Sequence, residues 1–301
     1  MTFSYRQIRA FLQVVETGSL GRAAKNVHIT QPALSRVVSE LEAQCGLKLF
    51  ERHPLGMRLT DAGDAFLPMA QSIMHEMERA EEAVSVMRGT GIGVVRVGAI
   101  AGIARQILPS AVRKLLDQGA NIKVYVLEGS GGELADALAN ATIDIAIAHD
   151  NLADDDVVQF WPTGYSDCCS VVCSTEHPLA NRTDCSVDEI LQADWVLPRP
   201  DSTTSKLLHE VIRQTGQRMP RAVVETVSPS AVAAFVRRSM LLAWLPQSLY
   251  ADEEAAGQIC SIDMPSLSLH REYFVYRRRR GILSPAARLF LDAFALEERV
   301  S

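Results

Sequence analysis

At 301 residues the chain is longer than a usual single domain, so two or three compact units are expected. Hydrophobic residues make up 48% and charged residues 22%, a globular balance that excludes disorder, collagen-like repeats and disulfide-rich miniproteins. The formal charge of −6 hides an asymmetry: residues 1–60 carry eight Lys or Arg against four acids, and beyond them 22 basic residues face 32 acidic ones. A small basic head on a larger acidic body is the layout of a polyanion-binding module joined to a second module. No stretch approaches the roughly 20 apolar residues of a membrane span. Residues 1–10 hold Arg6 and Arg9 with no apolar run behind them, so a cytoplasmic protein with no signal peptide and no membrane contact is expected. The six cysteines, at 45, 168, 169, 173, 185 and 260, form no pair of CxxC knuckles and have no HxxxH partner. Reduced structural thiols are expected, with no metal and no cofactor.

In chain order, Ile8, Phe11, Leu12 and Val15 fall at i, i+3, i+4 and i+7, which predicts an amphipathic helix ending near Thr17 and Gly18. Ser19 caps a short second helix over 20–26, where Gly21, Ala23 and Ala24 allow close approach to a neighbour. A tight turn at 27–29 follows. Thr30 then caps a third helix, with Pro32 in the first turn where its missing N–H costs nothing, and the helix runs through Leu41 and Glu42. Leu34, Val38 and Leu41 point one way. Gln31, Ser35, Arg36 and Ser39 point the other way, as side chains that reach base edges and phosphates. Short helix, tight turn and polar-faced helix is the helix-turn-helix pattern, whose second helix lies in the major groove; a merely solvated face is the other reading. Residues 49–52 and 58–60 predict two short strands around a turn with Pro54 and Gly56, a wing with Arg52 and Arg58 on its arms.

The run GSLGRAAKNVHITQPALSRVVSELEAQCGLKLFERHPLGMRLTDAGDAFLP, residues 18–68, resembles the N-terminal winged helix-turn-helix of LysR-type transcriptional regulators. The match takes in the AA pair, the QPALS start of the third helix, the LE, the G-x-x-LFER and the LT-x-AG segment. The resemblance implies that Gln31, Pro32, Ser35 and Arg36 face the groove, that Arg52 lies near the minor groove and that Ser19 and Arg22 hold phosphates. Thr30, Ala33, Ser39 and Arg58 complete the DNA-binding set. Double-stranded promoter DNA, a small-molecule effector, a second copy of the chain and RNA polymerase are the partners it implies.

From 61 to 88 only Pro68 opposes a helix, and Phe66, Ala70, Ile73, Met77, Ala80, Val84 and Met87 are spaced 4,3,4,3,4,3. At 1.5 Å per residue this is a rod of about 42 Å with a heptad seam, which wants a partner helix and so implies a dimer; a helix lying on its own domain is the alternative. In the resembled family this helix pairs two heads so that their third helices face successive major grooves roughly 34 Å apart. Residues 89–93, with Gly89, Gly91 and Gly93, read as a flexible hinge. Their GxG precedes a strand, so it is not a dinucleotide fingerprint.

The body alternates. Strands are predicted at 94–99, 122–127 and 143–148, with helices near 101–116 and 133–140, and a second set of strands follows at 168–173, 195–198, 222–227 and 241–245, with helices near 205–214 and 230–238. Such alternation means parallel sheets with right-handed crossovers, divided into two α/β lobes. The resemblance implies a periplasmic-binding-protein-like effector domain to which the strand 273–276 and the helix 285–296 return. The expected division is 1–60 DNA-binding domain, 61–88 linker helix, 89–93 hinge, 94–163 with 268–301 as the first lobe, and 164–267 as the second. A ligand in such a fold sits beyond the carboxyl ends of strands, where helix N-termini favour anions. Those positions are Ala99, Ile100, Ala101 and Gly102, then Gly129 and Ser130, His149, Arg199, Ser202, Thr203 and Thr204, and Ser228. The hydroxyls suit a carboxylate or a polyol, or are ordinary caps.

Two departures from the family's aromatic-acid responders bear on the effector. Ala99, Ile100 and Ala101 stand where such members carry Ser or Thr, and His149 stands where many carry Arg. His149 either makes effector binding depend on pH or is a hydrogen-bonded residue at a strand end. Alternation puts Cys169, Val171 and Cys173 on one strand face, as buried inert thiols rather than a redox sensor, and Arg277 to Arg280 on a solvated edge. No nucleophile elbow, HExxH or P-loop is present, so the expectation is a DNA-binding regulator responding to a small metabolite, an organic acid among the candidates, and not an enzyme. The alternative is a small-molecule-binding α/β protein or enzyme whose head is a protein-interaction module.

Overall fold

The computed structural model describes residues 2–295 apart from 55, 150, 181 and 201. The end of the predicted last helix at Leu296, and Asp201 in the predicted ligand loop, lie outside the described residues. The chain divides into two compact units, Met1–Gly93 with Asp136–Ile143, and Val94–Ala135 with Asp144–Ser301.

In the first unit, α1 (Tyr5–Thr17) begins at a capping box in which Ser4 accepts from the Gln7 backbone and Gln7 reaches back to the Ser4 N–H. It ends at Gly18, whose φ of 61° is the left-handed conformation that closes helices. Ser19 caps α2 (Leu20–Asn26), and Thr30 caps α3 (Gln31–Cys45) with Pro32 in its first turn. The hairpin β1 (Phe50–His53) and β2 (Gly56–Leu59) is antiparallel, with Glu51 opposite Arg58 and Arg52 opposite Met57. Thr60 then caps α4 (Asp61–Met87), which continues through Pro68. Ile8, Phe11 and Val14 of α1, Ala23 and Ala24 of α2, and Leu34, Val38 and Leu41 of α3 form one core with Leu49 and Ala70. The small residues of α2 are what let three helices meet there.

Residues 136–143 group with the first unit through α4. His75 Nδ1 lies 3.2 Å from the Asn140 carbonyl, and Arg79 Nη2 donates to the carbonyls of Ala141 at 3.0 Å and Ile143 at 3.2 Å. The glycine-rich segment after α4 is not an open linker. The N–H groups of Thr90 and Gly91 fold back onto the Ser85 carbonyl, and a Cβ on Gly91 would lie 2.1 Å from Ser85 Oγ.

The body follows as β3 (Gly93–Ala99), α5 (Ala101–Gln106), α6 (Leu108–Asp117), β4 (Ile122–Glu128), α7 (Gly131–Ala139), β5 (Ile145–Ala148), β6 (Val157–Ser174), α8 (Val187–Gln192), β7 (Asp194–Pro198), α9 (Thr203–Gln214), β8 (Arg221–Thr226), α10 (Pro229–Arg238), β9 (Ala243–Pro246), α11 (Ala251–Ala255), β10 (Ile259–Ser261), β11 (Leu269–Arg278) and α12 (Pro285–Ala295). The main sheet runs β10-β6-β11-β5-β3-β4, with β9 also on β6, and β7 and β8 form a parallel pair of their own. β3 pairs parallel with β5, while β11 is antiparallel to both β5 and β6. The predicted single helix over 101–116 is two, because Pro109 stands in the first turn of α6 and cannot donate to a continuing ladder.

β6 and β11 each pass through two cores. Trp161, Tyr165, Tyr273 and Val275 belong to a core with Val97, Ile147, Phe290 and Phe294. Cys169, Val171, Cys173 and Leu269 belong to another with Trp195, Leu208 and Trp244. The exchange falls between Tyr165 and Cys169 on β6 and between Leu269 and Tyr273 on β11. Asp167 and Arg271, directly opposite one another in the ladder, occupy it.

Candidate nucleic-acid interface and ligand cleft

The third helix presents two unlike faces. Leu34, Val37, Val38 and Leu41 are buried, whereas Gln31, Pro32, Arg36 and Ser39 are exposed and Ala33 and Ser35 are half-buried. Arg36 Nε meets Glu40 at 3.0 Å, one turn on, with both side chains mostly in solvent. Such a surface pair contributes only about 0.3–0.5 kcal/mol, so the guanidinium is easily released to another acceptor. Thr30 uses its hydroxyl to cap at Ala33 N, 3.4 Å away, and Ser19 does the same at Arg22 N. The Arg22 guanidinium donates to the Thr17 carbonyl.

Arg52 and Arg58 are exposed on the two arms of the hairpin. What positions that hairpin lies outside the predicted set. The buried Glu42 carboxylate accepts from Leu49 N at 3.0 Å and Phe50 N at 3.2 Å through Oε1, and from Lys48 Nζ at 2.6 Å through Oε2. At the hairpin's tip, Met57 N donates to the Gly18 carbonyl at 2.8 Å. Gly56 has φ 131°, and a Cβ there would lie 2.3 Å from the same carbonyl oxygen. A carboxylate one turn before the end of α3 and a glycine at the turn therefore lock the wing to the helices.

The heptad seam divides. Ala70 is fully buried in the chain's own core, and Phe66 stacks edge-on against Phe3 and Phe11 at 5.7 and 5.1 Å between ring centroids. These two are corrected from seam to core, because the first turns of α4 lie on α1. Ile73, Met77, Ala80, Val84 and Met87 are exposed, Met87 by 84%.

In the body, the predicted ligand positions fall into three groups. Ala99 is buried at the end of β3, its carbonyl accepting from Gly129 N at 3.2 Å, and Ile100 opens α5 with no side-chain cap. Ala101 packs against a core of the second lobe containing Val172, Val196 and Val232. A Cβ on Gly102 would lie 2.1 Å from Ser248 Oγ. Arg105 of the same helix donates to the Leu249 carbonyl at 2.8 Å and pairs with Glu253 at 2.8 Å, so α5 is docked on the segment after β9.

A second group is spent on capping. Ser130 donates its N–H and its hydroxyl to Glu133, each at 2.8 Å, and these bonds hold that carboxyl below its usual range. A carboxylate already occupies the start of α7, which disfavours an anionic ligand there. Ser202 accepts from Ser205 N at 3.1 Å and donates to the Arg199 carbonyl at 2.8 Å, and Ser228 accepts from Ala231 N at 3.3 Å. Thr203 is exposed and Thr204 half-buried on the first turn of α9, and the Arg199 side chain is exposed.

The third group centres on His149, whose Nε2 lies 2.7 Å from Arg271 Nη1. Beside it, Asp167 accepts from Ser248 Oγ at 2.5 Å, Tyr273 Oη at 2.8 Å and Cys168 N at 2.8 Å. Burial pushes the Tyr273 phenol up, so it remains a neutral donor to Asp167. Strand ends β3, β5 and β9 thus converge with the crossing strands on one polar cluster. Grooves of about 570 and 450 Å³ lie elsewhere, one lined by Phe160, Arg277 and Leu291 and one by Leu108, Val112 and Val126. Among the described residues no group of three or more His, Cys, Asp or Glu could hold a metal ion, and no helix is long and apolar enough to cross a membrane.

A winged helix-turn-helix joined to a two-lobed α/β body is the build of a ligand-responsive DNA-binding regulator. Residues 5–64 match the bacterial regulatory helix-turn-helix protein domain of the lysR family, and residues 88–297 match the LysR substrate binding domain. The chain belongs to the LysR family and is a DNA-binding transcriptional regulator with a substrate-binding domain. It is 28% identical over 289 residues to the HTH-type transcriptional regulator GalR of Pseudomonas putida, covering 95% of this chain and 72% of that one. It is 30% identical over 278 residues to an uncharacterised HTH-type transcriptional regulator of Mycobacterium bovis, covering 87% and 86%. Full-length CbnR, solved in complex with its target DNA, has the same fold, with a TM-score of 0.72 at 19% identity over 98% of this chain and all of that one.

Proposed function

We propose that the chain acts in the cytoplasm as a homodimer, assembling further into a homotetramer, whose paired heads read a two-fold promoter site and whose lobes hold a small metabolite, an organic acid in class. The reading assigns Gln31, Pro32, Ala33, Ser35, Arg36 and Ser39 to the major groove, Ser19, Arg22 and Thr30 to phosphates, and Arg52 and Arg58 to the flanking groove. Ile73, Met77, Ala80, Val84 and Met87 join the two linker helices. The effector positions proposed are Ala99, Ile100, Ala101, Gly102, Gly129, His149, Arg199, Thr203 and Thr204, with the hydroxyls of Ser130, Ser202 and Ser228 spent on caps. The role is regulatory rather than catalytic. The effector acts by binding one lobe arrangement better than another, which shifts head spacing, DNA bending and the access of RNA polymerase.

The observation that carries this reading is the polar outer face of α3, with exposed Gln31, Arg36 and Ser39 backed by buried Leu34, Val38 and Leu41. Purified protein is mixed with sheared genomic DNA at physiological salt, and the bound fragments are sequenced beside those recovered by Arg36→Ala. Enrichment of a few promoter regions that share a dyad, lost in the variant, is the expected result. Featureless recovery, equal for both proteins, refutes it.

A further inference from the structure

We propose that Arg271 is the effector's anchor in the cleft, holding a carboxylate of the ligand on the Nε and Nη2 edge of its guanidinium. This rests on reading the two-lobed body as the effector domain. Arg271 lies where β11 leaves one core for the other, on the rung opposite Asp167, and only 9% of it is exposed. Nη1 donates to His149 Nε2 at 2.7 Å, so that ring nitrogen is the acceptor. The buried Nε has no acceptor, and among the described residues no carboxylate pairs with this guanidinium. The acid beside it is engaged otherwise, since Asp167 takes its hydrogen bonds from Ser248, Tyr273 and the Cys168 backbone.

Asp167 balances the charge from the opposite rung but spends its oxygens on neutral donors, so a buried guanidinium N–H is left without an acceptor, an arrangement a fold keeps only at a cost. A ligand that brings an acceptor to Nε removes that cost on binding. With Nη1 taken by His149, the free edge is Nε with Nη2, the parallel fork that matches the two oxygens of a carboxylate. The guanidinium lies among the strand ends, since His149 follows β5 and Ser248, which bonds Asp167, also stands against Gly102 at the start of α5. The helix N-termini that would otherwise hold an anion are taken by Glu133, Ser202 and Ser228.

The test is thermal melting and calorimetric titration of the full-length protein at matched ionic strength with benzoate, succinate and citrate. Benzamide, succinamide and inorganic phosphate are the controls. At least one carboxylate is expected to raise the melting temperature by about 3 °C or more, while the amides and phosphate do not. Its Kd should rise at least about tenfold in Arg271→Gln, and Arg271→Lys, which keeps the charge without the fork, should fall between. The assignment is overturned if no carboxylate acts, if an amide or phosphate acts as strongly, or if binding survives Arg271→Gln unchanged. Binding of the same proteins to the recovered promoter fragments, without additives, separates the two readings. Intact DNA binding with no carboxylate effect sinks Arg271 alone, whereas a carboxylate effect without DNA binding sinks the regulator and leaves Arg271 standing.

Discussion

Glu42 does the work of a tether. One buried carboxylate satisfies the backbone donors of Leu49 and Phe50 where the chain enters the wing, so removing it leaves both N–H groups unpaired away from water. Glu42→Ala should lower the stability of the head by about 2–4 kcal/mol, read from the midpoint of urea unfolding. An unchanged midpoint would show that the wing is held by the hairpin alone. Gly56→Ala should cost about 2 kcal/mol in the same assay and weaken DNA binding, since the new Cβ meets the Gly18 carbonyl in a backbone conformation that favours glycine. Burial pushes the Cys169 thiol from its ordinary 9.0 up to about 12. A raised folded value favours the protonated thiol, so its contribution to stability is whole below pH 9 and is lost as pH climbs from there towards 12. Cys169 and Cys173 should resist iodoacetamide in the native protein at pH 8, and rapid labelling of either, located by peptide mass spectrometry, would contradict their burial.

At the scale of elements, the helices of the head and the heptad register of α4 were legible because apolar spacing and caps act locally. Which partner that seam meets was not legible, since Phe66 and Ala70 carry the same period as Met77 and Ala80 but pack on α1. The two halves therefore respond differently. Ala80→Asp should weaken the dimer by sedimentation while leaving the head's melting unchanged, whereas Ala70→Asp should unfold the head. An unaltered dimer with Ala80→Asp would remove the paired-helix account. In the body, the first half of β6 escaped prediction because Pro162 and Gly164 interrupt its alternation. That strand is held by its long ladder with β11, a non-local pairing that sequence periodicity does not encode. Arg271 carried a signal of its own: alternation along β11 places it on one face with Leu269, Tyr273 and Val275, a single charge in an apolar row. Ser202 and Ser228 show the converse, residues of the right type at the right place whose hydroxyls are used by their own helices.

At the scale of the whole molecule, the basic head and the acidic body match the two tasks of a regulator, to approach a polyanion and to bind a metabolite. Net charge supplies attraction to any DNA, while sequence preference must come from the face of α3. The most direct test of that division is the affinity of wild type and Arg36→Ala for a recovered promoter site and for a scrambled duplex, at low and physiological salt. The account predicts that the substitution costs about 1–3 kcal/mol on the promoter site and little on the scrambled one, with both affinities falling as salt rises. Equal losses on the two duplexes would contradict it, reducing Arg36 to a phosphate contact and leaving the outer face of α3 without a reading role.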